Sequence, residues 1–194
     1  MSLTKEPKVI DAPLAFKRRA KEFPPFVIDL RSKAAFEQGH LAGAHLIPVE
    51  KLADHLIELP PFSAILLYAD ADPAPVQAAL ALLKENDFTN LLWVEGGWPA
   101  LAETLKHSSE VVVLDRLPQT AWLQEIEEVI ENKVRPALKA DGGDVKLVQV
   151  EEGKLKLQYL GACSGCSSSM GGTLKMIQAA IAGCLNSELE LVVV

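Results

Sequence analysis

The sequence predicts two domains in series: an α/β domain with a parallel sheet and helices on both faces, then a small α+β domain of order αββαβ. Three observations predict it. Over residues 1–107 short apolar runs alternate with stretches of helical spacing. Beyond residue 119 the apolar period changes to steps of three and four, then to alternation. All three cysteines fall in the last 32 of 194 positions. A chain of this length accommodates two small domains, placed here at 1–107 and 119–194, with a linker over 108–118.

In the first half Phe26-Val-Ile-Asp-Leu reads as a strand and 33–38 as a short helix. His45-Leu-Ile-Pro-Val is a second strand, followed by helical spacing over 51–58. Ala64-Ile-Leu-Leu-Tyr is a third strand. Residues 75–85 are helical, with Pro75 in the first turn, where its missing N–H costs nothing. Leu91-Leu-Trp-Val-Glu is a fourth strand, and Gly96-Gly97 leads into a last helix over 99–105. Strands alternating with helices at this interval imply a parallel sheet covered on both faces.

In the second half Trp122, Ile126, Val129, Ile130, Val134 and Leu138 define an amphipathic helix, with Pro136 expected to kink its last turn. Asp141-Gly-Gly-Asp stops it, glycine accepting the left-handed backbone found after helices. Residues 145–150 and 155–160 flank Glu152-Gly153 as a hairpin, with Leu155, Leu157 and Tyr159 on one face. A helix over 168–185 and a strand over 189–194 complete the domain. Between the halves, Val111-Val-Val-Leu has the character of a final strand of the first domain.

Composition narrows the function. Hydrophobic residues make up 49% of the chain and the net charge is −7, as in soluble globular proteins. Basic side chains number 11 against 14 acidic over 1–107, and 8 against 12 over 108–194. Acidity in both halves lacks the footprint of a nucleic-acid binder and the cationic face that docks on acidic membranes. The start has no apolar signal region, and no apolar run approaches the ~18 residues of a membrane span, so the expected location is cytoplasmic. Three cysteines argue against a secreted disulfide framework.

The chemistry concentrates at Cys163 and Cys166, in Gly161-Ala-Cys-Ser-Gly-Cys-Ser-Ser-Ser-Met. The spacing lets two thiolates converge on one metal or on each other, and Gly165 allows the tight turn between them. The following helix start favours thiolate over thiol. Four chemistries fit CxxC by itself. Two incidental buried thiols fit poorly with the small polar neighbours. A thioredoxin-like dithiol calls for a larger domain with a proline loop, yet no proline follows Pro136. Structural zinc calls for four ligands. The second half has no histidine, and Cys184, 18 residues beyond Cys166, lies ~27 Å away along a continuous helix. Zinc would therefore span two subunits. An iron–sulfur cluster also takes four soft thiolates, and two per chain again mean sharing across a dimer.

Three further segments separate these. Val134-Arg-Pro-Ala-Leu-Lys-Ala-Asp-Gly-Gly-Asp-Val, Tyr159-Leu-Gly-Ala-Cys-Ser-Gly-Cys-Ser-Ser-Ser, and Thr173-Leu-Lys with Ile177 and Ile181 closely resemble the NifU C-terminal domain, the Nfu-type scaffold and carrier of Fe–S clusters. The resemblance implies a [4Fe–4S] cluster bridged by Cys163 and Cys166 of each of two subunits, then passed to apo-proteins. It further implies a homodimer on loading and a cluster donor upstream. Many members have proline after the second cysteine and one residue fewer before Thr-Leu-Lys. Here Ser167 and the pair Gly171-Gly172 occupy that stretch, and both ligands remain. Cys184 matches no family ligand and is read as a structural thiol.

Residues 8–106 resemble a rhodanese domain through Val27-Ile-Asp-Leu-Arg, Phe36-Glu-Gln-Gly-His-Leu-Ala-Gly-Ala-His-Leu-Ile-Pro and Leu92-Trp-Val-Glu-Gly-Gly-Trp-Pro-Ala. Active members carry a persulfide on a cysteine that ends the central strand, cradled by the backbone of a six-membered loop. Here Ala69 stands at that position and Ala74 where arginine is frequent, with Asp70 and Asp72 repelling any anionic sulfur species. His40 and His45 are expected as packed or capping groups, and Asp29 with Arg31 as a structural ion pair.

The expectation is thus a non-enzymatic Fe–S cluster assembly factor: an iron- and cluster-binding protein with Cys163 and Cys166 as ligands, whose partners are itself, a cluster donor and apo client proteins. A sulfur-handling enzyme, either a rhodanese-type sulfurtransferase or a CxxC thiol-disulfide oxidoreductase, is the alternative.

Overall fold

A computed structural model describes residues 6–21, 23–108, 111–161 and 167–194, with the side chains of 167–170 outside the description. The chain forms two compact units, Met1–Ser109 and Glu110–Val194.

In the first unit, β1 (Lys8–Ile10), β2 (Phe26–Asp29), β3 (His45–Leu46), β4 (Ile65–Tyr68) and β5 (Leu91–Val94) form one sheet in the order β1-β5-β4-β2-β3. Every pairing is parallel. All four residues of central β4 are buried, as a strand covered on both faces requires. On one face Ile28, Ile65, Leu67 and Leu91 meet Val76, Ala79, Leu80 and Leu83 of α3 (Ala74–Glu85). On the other face Tyr68 meets Trp98 of α4 (Gly97–His107), which packs on α1 (Ala12–Arg19). The short α2 is Lys33–Gln38.

Two features differ from expectation. Residues 49–58 wind as 3-10 turns, not as an α-helix. Only Leu52 is fully buried there, and Pro48 and Pro60 bound the segment, so a regular amphipathic helix has little to gain. The pair β1 and α1 is an addition. Asp11 caps α1 by accepting the Leu14 N–H at 2.8 Å, and Pro13 sits in its first turn.

In the second unit α5 (Gln119–Val129) runs into a π-helical turn, Ile130–Val134, and then α6 (Arg135–Ala140). The irregularity precedes Pro136 instead of following it. Proline has no N–H and its ring presses on the carbonyl four residues back, at Asn132, and the wider turn relieves both. Strands β6 (Gly143–Glu151) and β7 (Lys154–Gly161) form an antiparallel hairpin, with Glu151 opposite Lys154. Glu152 and Gly153 have φ of 50° and 75°, the geometry of a two-residue type I′ turn. Helix α7 (Ser167–Leu185) leads to β8 (Glu190–Val193), parallel to β7 at the sheet edge. The register shifts between Leu147 and Gln149, leaving Val148 as an exposed bulge. Inward positions therefore run Val145, Leu147, Val150, a break in strict alternation.

The core of this unit joins Ile126, Ile130, Val134 and Leu138 of the helical arm to Leu155, Leu157 and Tyr159 of β7 and Ile177, Ile181 and Leu185 of α7. Leu114, at 0% exposure in a short 3-10 turn, belongs to the same core. The segment 111–114 thus forms no strand of the first unit, and part of the expected linker packs with the second. Among the described residues no helix is long and apolar enough to cross a membrane.

Candidate functional site

At the end of β4, Ala69 is 2% exposed and its carbonyl accepts the Trp98 N–H at 2.7 Å. The turn into α4 presses on this segment. A Cβ on Gly97, whose φ is +56°, would stand 2.1 Å from the Asp70 carbonyl oxygen. Beyond Ala69, α3 begins at Ala74, whose N–H is taken by Asp72 Oδ1 at 2.9 Å. Pro73 and Pro75 have no N–H at all. Position 69 therefore has no side-chain nucleophile, and three of the six residues that follow it offer no free N–H to an anionic sulfur.

Beside Tyr68 and Trp98 lies the expected ion pair. Arg31 Nη2 donates to Asp29 Oδ2 at 2.6 Å and Nε donates to Asp29 Oδ1 at 3.0 Å. Nη2 also donates to the Gly39 carbonyl at 2.7 Å, and the guanidinium lies 4.6 Å from the Trp98 ring centroid. Burial opposes the Arg31 charge, but the bonds and charge of Asp29 outweigh it and raise its pKa. Burial, and then the negative charge of Asp29, hold the Tyr68 phenol well above its ordinary range. Its oxygen accepts the Leu41 N–H at 3.2 Å. His40 stacks on Phe36 at 3.6 Å, and its Nδ1 lies 2.9 Å from the Phe36 carbonyl. His45 stacks on Phe26 at 4.0 Å, and burial lowers its pKa. His40 is half-buried and packed, as expected, whereas His45 stacks on Phe26 with its residue exposed.

Cys163 and Cys166 lie outside the described residues. The elements on either side are described. The connection that carries them leaves the central strand of the three-stranded sheet at Gly161 and enters α7 at Ser167. Gly161 has φ of +66°, and a Cβ on it would stand 2.6 Å from the Gly142 carbonyl oxygen, so only glycine fits. Thr173, Ile177, Ile181 and Leu185 turn one face of α7 into the core. The helix is continuous from Ser167 to Leu185, which holds half-buried Cys184 at its far end, ~25 Å from its start. Among the described residues no three His, Cys, Asp or Glu side chains converge as a metal site.

The sequence does not single out Arg135, which ties the helical arm to the start of β6. Its one local signal is Glu131, four residues earlier on a helix. Its other partners, Glu127, Asp144 and Val145, are brought to it by the fold.

Fold and site define a two-part protein: an α/β unit with alanine after its central strand, and an α+β unit whose strand–helix connection carries a CxxC pair. A family model for the rhodanese-like domain matches residues 12–104, and one for the NifU-like domain matches 126–192. The chain is a rhodanese-like domain followed by a NifU-like domain. It is 30% identical over 106 residues to "NFU1 iron-sulfur cluster scaffold homolog, mitochondrial" of Drosophila persimilis, covering 52% of this chain and 36% of that one. Over 79 residues it is 44% identical to "Nitrogen fixation protein NifU" of Cereibacter sphaeroides, covering 37% and 31%. The solution structure of a rhodanese-like domain from an Anabaena protein is 28% identical with a TM-score of 0.45, covering 50% of this chain and 74% of that one. The chain spans about a third of the length of these two curated relatives.

Proposed function

We propose that the protein takes part in iron–sulfur cluster assembly as a carrier. A [4Fe–4S] cluster is its cargo, held by Cys163 and Cys166 of each of two copies and passed to apo-proteins. The observation that carries this is the NifU-like match over 126–192, which encloses both cysteines in the connection between β7 and α7. Thiolates are the soft ligands such clusters take, and a helix start beside them favours the ionised form. The relatives' names, cluster scaffolds and a nitrogen fixation protein, support the same reading. We assign the front domain no catalysis, a reading supported by alanine at position 69 and by a following loop with two prolines.

The test is anaerobic reconstitution with iron and sulfide. Cys163→Ser or Cys166→Ser replaces a soft thiolate by a poorly ionised oxygen, and cluster yield collapses. Cys184→Ser leaves it nearly intact. Equal damage from all three substitutions would refute the ligand assignment.

A further inference from the structure

Arg135 stands where the helical arm of the second unit meets its sheet, and its guanidinium engages all three nitrogens. Nε donates to Asp144 Oδ1 at 2.9 Å, and Nη2 donates to Glu127 Oε1 at 2.8 Å and to the Val145 carbonyl at 3.0 Å. Nη1 donates to Glu131. The side chain is 14% exposed. Asp144 Oδ1 in turn accepts the Val145 N–H at 2.7 Å. One planar group thus spans α5, the π-helical turn and the first residues of β6. Without it three carboxylates would face one another across that junction, with Lys139, 3.7 Å from Glu131, offsetting them in part.

The junction is also where the other strand ends. Asp144 is paired with Leu160 and Gly143 with Gly161, and Gly161 lies so close to the Gly142 carbonyl that no side chain fits. Cys163 follows two residues later in the sequence. Whatever sets Gly142–Val145 therefore sets the point from which the chain departs toward the first thiol.

We propose that Arg135 is a positioning residue for cluster binding: by holding Asp144 and Val145 it fixes the seat of Gly161, the last described residue before the cysteine pair. This rests on the cluster-carrier reading above. The planar fork matters more than the charge. A lysine ammonium is a single point and cannot reach Asp144, Glu127 and the Val145 carbonyl in one orientation.

The test compares full-length Arg135→Lys with a core truncation in the same unit, Ile181→Val or Ile181→Ala, chosen to match its loss of melting temperature. Asp144→Asn removes a single partner and serves if Arg135→Lys does not fold. Each protein is reconstituted, then challenged with an iron chelator at a temperature where all the apo forms are folded. Loss of a group that orients metal ligands typically costs at least about ten-fold in retention, so the Arg135 or Asp144 variant sheds its cluster about ten-fold faster than wild type. The matched core variant stays within about two-fold of wild type. In the apo-proteins, amide exchange at Val145 and Gly161 rises in the Arg135 or Asp144 variant and not in the core variant. Equal shedding by the matched variants, from a wild type that loads normally, overturns the positioning role alone. A wild type that takes up no cluster overturns the carrier reading and this role with it.

Discussion

Asp29 and Arg31 form a two-point ion pair inside the front domain, with side-chain exposures of 0% and 2%. The Arg31 guanidinium lies 5.5 Å from the Tyr68 ring centroid and 4.6 Å from that of Trp98. Removing one partner of a buried pair strands the other charge, at a cost of about 3–5 kcal/mol. Arg31→Met should therefore lower the unfolding free energy of the front unit, read from urea titration, by that amount and leave cluster yield unchanged. A loss below about 1 kcal/mol would show that the pair is solvated in solution.

Restoring the nucleophile should not restore the activity. Ala69→Cys would place a thiol that is almost wholly buried, followed by a loop in which two residues lack an N–H and a third has its N–H bound to Asp72. Thiosulfate:cyanide sulfurtransferase activity should stay at background in wild type and in Ala69→Cys. Turnover in a Cys163, Cys166 and Cys184 triple serine variant would reveal a nucleophile other than these thiols.

Leu114 gives the boundary between the halves an energetic meaning. It is fully buried in the core of the second unit, so a fragment of residues 110–194 keeps a contact that 119–194 lacks. Loss of a buried leucine costs about 2–5 kcal/mol. The longer fragment should be more stable by this margin in urea unfolding, and both should melt higher when loaded with cluster. Fragments of equal stability would mean that Leu114 contributes nothing in solution.

The cluster around Arg135 implies an acid sensitivity. The Arg135 hydrogen bond holds the Glu131 carboxyl below its ordinary range. At Asp144 slight burial opposes the charge, but the Val145 N–H and Arg135 prevail and lower its pKa as well. Carboxyls with depressed folded pKa values stabilise above their unfolded values of about 4, and that stability is lost as pH falls through the folded ones. The melting temperature of the 110–194 fragment should therefore drop as the pH falls below about 5. The drop should shrink in Arg135→Lys. An unchanged pH profile in that variant would remove the ion cluster as its source.

Loading should change the stoichiometry. With two cysteine ligands per chain, native mass spectrometry of reconstituted protein should show dimers with close to four irons per two subunits. A fully ligated cluster on a monomer would end the shared-cluster proposal.

The amino-acid sequence by itself determined what depends on neighbours along the chain. Apolar periods set the buried β4 and the inward faces of β7 and α7, and Glu152-Gly153 set the hairpin turn. The chemistry of the site was legible in the same way, since a CxxC pair and an alanine at position 69 are matters of residue type. Tertiary structure decided the rest. Strand β1 has three residues, two of them exposed, and exists because Val9 finds Trp93 more than eighty residues away. Apolar steps of four over Ile126, Ile130, Val134 and Leu138 fit an α-helix as well as a helix with one wider turn, so the pattern could not place the π-turn before Pro136. The valines of 111–113 looked like a strand of the first half until the burial of Leu114 assigned the segment to the second. Arg135 shows the difference within one side chain: Glu131 lies four residues away on a helix, whereas Asp144 reaches it only because α6 and β6 fold back on each other. Local pattern sets how a segment folds, and only long-range packing sets which segments it meets.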